Sequence, residues 1–250
     1  MKETLSQTGT PNVDRRRFLG ASLGACALTP LIPGSFFQLA GALSHSLTKA
    51  ERDGMSPSFV IEELKKGNER FRSGKMVDRE ILAAQKATAK GQYPAAVVLG
   101  CLDSRVPAEI VFDAGIGDMF VGRVAGNVVN DDMLGSMEFG CAVTGSKVIL
   151  VLGHTACGAI KGAIDDVVLG NLTALLARIK PAIAATKYEG EKSSKNYAYV
   201  NAVAETNVNL VVAEIHRRSP VLEDLAKKGT IAIVGAMYDL DTGAVRFLQS

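Results

Sequence analysis

Two apolar runs, AAVVLG at Ala95–Gly100 and KVILVLG at Lys147–Gly153, decide the fold of this chain. A strand that is buried on both faces, as in a parallel sheet, shows a continuous apolar run, whereas a half-exposed strand alternates apolar and polar residues. Asp118–Val124 and Thr230–Tyr238 have a similar composition. These four segments therefore predict the strands of a mainly parallel sheet.

Helical patterns surround these strands, because apolar residues recur at intervals of three or four among polar ones. The predicted helices are Ser58–Gly74, Arg79–Lys90, Asp131–Val143, Gly158–Val168, Leu172–Thr186 and Asn196–Arg217. A last strand, Ala244–Leu248, follows a turn at 241–243. The alternation predicts a single α/β domain over residues 58–250, with a mainly parallel central sheet flanked by helices.

The first 42 residues have the pattern of an export signal, with a basic start, an apolar middle and small residues at the end. The pair Arg15 and Arg16 resembles a twin-arginine signal, so we expect export to a bacterial periplasm. Residues 43–57 are expected to be a linker. Two alternatives remain: a membrane-anchoring helix, which Pro30 and Pro33 oppose, and a lipid anchor at Cys26. The mature protein is expected to have no transmembrane segment.

The charge of the chain is nearly balanced. Removing the four basic and two acidic residues of 1–42 from the totals of 28 and 26 leaves 24 of each. Nucleic-acid binding requires a clustered basic excess, so we expect no nucleic-acid partner. Four cysteines in 250 residues are too few for a disulfide scaffold.

Residues that can bind a metal follow the two decisive strands directly. Cys101 follows the first, and His154 follows the other, with Cys157 three residues later. In parallel sheets, sites form beyond the carboxyl ends of the strands. Two thiolates and one imidazole are a normal ligand set for zinc, and three protein ligands leave a fourth position for water or for Asp103, as in catalytic sites.

Each of these residues also has an ordinary structural explanation. Cys101 alone could be a small buried apolar residue, and His154 alone could be a core or capping histidine. Their combination at strand ends favours a metal site. Cys141 lies within a predicted helix and is interpreted as core packing, His216 as a helix-end histidine, and His45 as part of the linker.

Three stretches give the chain a resemblance to the β-class carbonic anhydrases, and the resemblance spans about Pro57–Leu248. The stretches are Cys101–Pro107, Arg123–Asn127 and Gly153–Ala159. The resemblance implies one zinc per chain, bound by Cys101, His154 and Cys157, with Asp103 beside the metal. It also implies that zinc-bound hydroxide converts carbon dioxide to bicarbonate and a proton, reversibly.

The resemblance further implies the roles of several neighbouring residues. Asp103 and Arg105 match the catalytic aspartate–arginine dyad of the family. Gln92, Phe120 and Gly158 match its substrate pocket, which is built across a dimer interface. We therefore expect a homodimer or a higher homo-oligomer.

The chain departs from subgroups of the family at two positions. Phe139 stands where some members have a tyrosine, which removes a hydroxyl proposed to handle protons. Val98 stands where a bicarbonate-regulated subgroup has tryptophan, although Gly100 and Arg123 match that subgroup. Bicarbonate regulation is therefore not predicted.

Two alternative functions remain open. Carbon disulfide or carbonyl sulfide hydrolysis uses the same fold and the same ligands. A zinc-stapled binding module without catalysis would need the three ligands alone, and the pairing of Asp103 with Arg105 argues against it.

Overall fold

The computed structural model describes residues 46–249. The predicted export signal, its arginine pair, Cys26 and His45 lie outside these residues. None of the helices among residues 46–249 combines the length and the apolarity that a membrane span requires.

Ten α-helices and five strands are found in the described residues. The helices are α1 Lys49–Gly54, α2 Pro57–Arg72, α3 Ile81–Thr88, α4 Ala108–Val111, α5 Asp131–Glu138, α6 Gly158–Ile164, α7 Gly170–Ala177, α8 Lys180–Ala185, α9 Tyr197–Arg218 and α10 Pro220–Lys227. The strands are β1 Ala96–Gly100, β2 Met119–Arg123, β3 Val148–His154, β4 Ala232–Tyr238 and β5 Val245–Phe247. A 3₁₀ turn, Ala125–Asn127, follows β2, and a π-helical turn, Phe139–Val143, ends α5.

The strands form one sheet in the order β2-β1-β3-β4-β5, in which only β5 runs antiparallel to its neighbour. Every residue of β1 and β3 is buried. On one face, Val97 and Ile149 pack in a cluster that includes residues of α9; on the other, Val98 and Leu150 pack with residues of α2. Burial on both faces explains the continuous apolar runs and confirms the predicted α/β fold.

The predicted helix at 172–186 is wrong in one respect, because the structure has two helices there. Pro181 lies in the first turn of α8. A proline ring clashes with the carbonyl four residues earlier and its nitrogen carries no hydrogen, so a helix cannot continue through it. That earlier residue is Ala177, where α7 ends.

Part of the segment predicted as a linker is folded. Thr48 caps α1 through a reciprocal pair of hydrogen bonds with Glu51. Leu47 is buried in the cluster that packs against α2. Arg52 is also buried and donates a hydrogen bond to the Thr144 carbonyl at the end of the π-helical turn. The folded part of the chain therefore begins before residue 58.

Candidate metal centre and active site

Three buried side chains converge at the carboxyl ends of β1 and β3. Gly100, the last residue of β1, lies opposite Leu152 of β3, so Cys101 and His154 emerge at the same edge of the sheet. The ligand atoms of Cys101, His154 and Cys157 all lie within 4.8 Å of one another. The two sulfur atoms are 3.9 Å apart. The structure thus brings together the three residues that the sequence predicts as zinc ligands.

The His154 ring is oriented for metal binding. Its Nδ1 lies 2.8 Å from the Thr155 carbonyl oxygen, and since a carbonyl can only accept, Nδ1 carries the hydrogen. In a neutral ring the lone pair is therefore on Nε2, a buried atom that has no hydrogen-bond partner within residues 46–249. Leaving a buried polar atom unpaired is costly. A metal ion at Nε2 removes this cost, and a backbone carbonyl on the other nitrogen is the usual second partner of a metal-binding histidine.

The pKa values of the two thiols are shifted in opposite directions. The hydrogen bond from the Cys157 thiol is the main cause that lowers the pKa of Cys101 to about 4. The same bond, together with burial and the neighbouring charge, raises the pKa of Cys157. Ionisation of Cys157 beside the Cys101 thiolate is therefore unfavourable unless a cation lies between the two sulfur atoms. The donor set therefore fits zinc, which binds deprotonated cysteine and neutral histidine.

Arg105 holds the Asp103 carboxylate in a fork. Oδ1 accepts from the Arg105 backbone N–H at 3.0 Å and from Nε at 2.9 Å, and Oδ2 accepts from Nη2 at 2.8 Å. These hydrogen bonds hold the pKa of Asp103 well below its usual range. Oδ2 also lies 3.9 Å from Nε2 of His154. An ionised carboxylate therefore stands beside Cys101, His154 and Cys157, held by Arg105.

Arg123 braces the loop that carries Cys101 and Asp103. Its Nε donates to the Cys101 carbonyl at 2.9 Å, and its Nη2 donates to the Asp103 carbonyl. This role could not be predicted from the sequence, where Arg123 begins the Arg123–Asn127 stretch of the family resemblance and matches the bicarbonate-regulated subgroup, because neither match says what its side chain contacts. Val98, the other position of that comparison, is fully buried in the core.

Of the predicted pocket residues, Gly158 lies beside the predicted metal ligands, whereas Gln92 and Phe120 lie farther along the sheet. Gly158 follows Cys157 at the start of α6, with open space at its Cα. Gln92 precedes β1 and is exposed at the opposite end of that strand from Cys101, and five strand residues span roughly 16 Å. Phe120 pairs in register with Val97, and its ring lies edge-to-face on Phe139, with centroids 6.3 Å apart.

The remaining cysteine and histidine of the described residues lie away from the cluster. Cys141 is buried in the π-helical turn, where desolvation raises its pKa to about 12. This agrees with core packing. His216 is not explained by the helix end alone, because its Nδ1 lies 2.5 Å from Oε2 of Glu223 on α10.

Comparisons with known proteins agree with this site. The sequence profile of the family described as "Carbonic anhydrase" matches residues 96–245. The chain is 37% identical over 194 residues to carbonic anhydrase 2 of Mycobacterium tuberculosis, covering 75% of this chain and 91% of that protein. It is also 37% identical to a carbonic anhydrase of Mycolicibacterium smegmatis, with coverages of 76% and 92%. This chain belongs to the β-class carbonic anhydrase family.

Solved structures support the same fold. A β-carbonic anhydrase of Coccomyxa, solved with acetazolamide, matches with a TM-score of 0.58 and 25% identity, covering 76% of this chain and 81% of that one. A tetrameric β-carbonic anhydrase of Sordaria macrospora matches with a TM-score of 0.59 and 22% identity over 77% and 95% of the two chains. Family membership confirms the predicted enzyme class and zinc as its cofactor.

Proposed function

We propose that this carbonic anhydrase binds one zinc ion through Cys101, His154 and Cys157 and hydrates carbon dioxide reversibly to bicarbonate and a proton. The observation that carries the assignment is the unpaired Nε2 of His154, which lies beside two thiols and a restrained carboxylate. Zinc, when bound, lowers the pKa of water and so supplies a nucleophile near neutral pH.

In this proposal Asp103 orients the attacking oxygen. Its carboxylate is ionised and can only accept hydrogen bonds. It can therefore accept a hydrogen bond from the attacking group and so direct the lone pair of that oxygen toward carbon dioxide. Its three hydrogen bonds from Arg105 fix both carboxylate oxygens while it does so.

Arg105 also keeps Asp103 from becoming a fourth ligand. A carboxylate next to a divalent cation is strongly attracted to it, and a bound carboxylate would take the position that the reaction needs. The parallel, charge-assisted hydrogen bonds of a guanidinium fork are the competing attraction. An ammonium group cannot reproduce this geometry, so lysine is not an adequate replacement.

The dyad is tested by measuring zinc content and carbon dioxide hydration side by side in Arg105→Ala, Arg105→Lys and Asp103→Ala. All three should keep about one zinc, because three ligands remain, and all should lose turnover by roughly 100-fold. An ordinary aspartate titrates near 3.9, so at pH 8 Asp103 stays ionised without Arg105. A loss of turnover in Arg105→Ala at pH 8 is therefore caused by a displaced carboxylate and not by a change in its charge. Near-normal turnover of zinc-loaded Arg105→Ala would refute the role of the dyad.

We also propose that the substrate pocket is completed by a second copy of the chain. Gln92 and Phe120 do not reach the metal ligands of their own chain. β2 lies at one edge of the sheet, and its Phe120 contacts Phe139 of the π-helical turn, which also holds Val143. We call the surface formed by these apolar residues the edge face; Phe139 is 51% and Val143 72% exposed. A cavity of about 720 Å³ opens on this face, and its lining includes Phe120, Val121, Met133, Met137 and Phe139 together with the polar residues Asp131, Asp132 and Ser136. Homodimer formation would cover these side chains.

Export to the periplasm is proposed from the N-terminal sequence alone. The twin-arginine translocase reads the arginine pair as an address. Replacing Arg15 and Arg16 with lysine should leave the precursor in the cytoplasm, as measured by cell fractionation with the unchanged precursor as control. Normal export of the doubly substituted precursor would contradict this route.

A further inference from the structure

Two asparagines of α9 reach the two loops that carry the metal ligands. Asn201 Oδ1 accepts a hydrogen bond from the Ala156 backbone N–H at 2.9 Å. Asn207 Nδ2 donates to the Gly126 carbonyl at 2.9 Å. Both amides act through a backbone group rather than on a ligand atom. Asn207 bonds to Gly126, whose N–H contacts the Cys101 sulfur, and Asn201 bonds to Ala156, which directly precedes Cys157.

Asn207 acts on the Cys101 side of the site through Gly126. The Gly126 N–H lies 3.3 Å from Cys101 Sγ and donates to it. Gly126 has φ of +70°, and a Cβ there would lie 2.7 Å from a terminal carbon of Ile179. Since Asn207 is only 2% exposed, its amide is the donor that satisfies the Gly126 carbonyl inside the core. Its hydrogen bond thereby fixes the residue whose N–H reaches the sulfur.

Asn201 acts on the other side of the site through Ala156. Ala156 stands between His154 and Cys157 and has φ of +54°, a left-handed conformation that is strained for a residue with a side chain. This turn brings the His154 ring and the Cys157 sulfur to one point. The amide oxygen of Asn201 holds the N–H of the strained residue and so stabilises the turn.

We propose that Asn201 and Asn207 are positioning residues for the zinc ligands, with Asn207 setting the hydrogen bond to Cys101 and Asn201 setting the turn before Cys157. The inference rests on the proposed zinc site and deepens it. Groups that hold metal ligands in place commonly change metal affinity by roughly 10- to 100-fold when removed.

The two asparagines use opposite halves of the amide, and this gives a sharp test. Asn201 serves as an acceptor, whereas Asn207 serves as a donor. Aspartate keeps the acceptor oxygens but loses the donor. The same substitution should therefore be tolerated at Asn201 and damaging at Asn207. Because Asn207 is buried and Asn201 is only half-buried, loss of the hydrogen bond is separated from loss of stability by comparing Asn201→Asp with Asn201→Leu and Asn207→Ser with Asn207→Ala.

The experiment measures zinc affinity by chelator competition on Asn201→Asp, Asn201→Leu, Asn207→Asp and the exposed control Asn209→Asp. Asn201→Asp and Asn209→Asp should stay within about threefold of the original protein, since no required hydrogen bond is lost. Asn201→Leu and Asn207→Asp should bind zinc roughly 10- to 100-fold more weakly. In cobalt-substituted protein, the sulfur-to-metal absorption band should shift in the latter two only.

Equal zinc affinities for Asn201→Asp and Asn201→Leu would overturn the proposal at the Cys157 turn, and an unchanged Asn207→Asp would overturn it at Cys101. If Asn207→Asp does not fold, the Asn201 pair still decides the first point. Asn207→Ser, which keeps a donor, decides the second: it should bind zinc more tightly than Asn207→Ala, and equal affinities would overturn the proposal at Cys101. These readouts need no carbon dioxide hydration, so a failure of the proposed activity in zinc-binding protein is seen separately.

Discussion

The carboxyl end of the sheet, which carries Cys101, His154 and Cys157, is called the metal end. It differs from the edge face in how completely one chain builds it. Cys101, His154 and Cys157 are each no more than 4% exposed and already converge, whereas Phe139 and Val143 of the edge face are 51% and 72% exposed. Burial in the chain's own core fixes the first region. The second has no cover from the described residues. The difference supports the proposal that one chain forms the metal site and that a second copy completes the substrate pocket.

Removing one ligand should give the largest effect on this comparison. Cys157→Ala is expected to reduce zinc from about one per chain to a small fraction, because catalytic zinc needs three protein ligands. Carbon dioxide hydration should fall with it. Metal analysis of the purified protein measures the first effect, with Arg105→Ala as a matched control that keeps all three ligands. Full zinc retention in Cys157→Ala would contradict the ligand assignment.

A charge on the edge face should disrupt substrate enclosure while leaving the metal end intact. Phe139→Asp places a carboxylate in the apolar surface, so we expect a monomer by light scattering, a full zinc content and activity lowered by at least about tenfold. Val168→Asp changes a residue that is 82% exposed outside the edge face and serves as the control. A fully active monomer at assay concentrations would show that one chain builds the whole pocket.

The smallest effect is expected at the cysteine that binds no metal. Cys141→Ala removes a buried sulfur from the π-helical turn and should cost about 1 kcal/mol, which lowers the melting temperature by roughly 2–4 °C in a chain of this size. Zinc content and turnover should not change. Loss of zinc from Cys141→Ala would place this residue in the metal site and remove the contrast among the three described cysteines.

The metal end could be predicted from sequence because its signals are local. Continuous apolar runs mark the strands, and a residue that directly follows a parallel strand lies at a known edge of the sheet. The sequence therefore placed Cys101 and His154 at one edge before any contact was known. Family resemblance supplied the roles of Asp103 and Arg105.

Other parts of the site could not be predicted because they depend on contacts between distant segments. Asn207 and Gly126 are 81 residues apart, and no periodic pattern relates them. In the sequence, Arg123 is only a residue near the end of a predicted strand. The structure shows that its guanidinium donates to two loop carbonyls. The break between α7 and α8 was predictable in principle, since Pro181 is visible in the sequence.

Stopped-flow measurement of carbon dioxide hydration tests the proposed reaction of the zinc-loaded chain. The protein should be assayed with one zinc per chain, after chelation and after zinc is restored, with carbon disulfide and carbonyl sulfide as competing substrates. We expect rapid hydration that chelation abolishes and zinc restores, exceeding any hydrolysis of the two sulfur compounds. Zinc-loaded protein that hydrates carbon dioxide no faster than buffer would refute the proposed function.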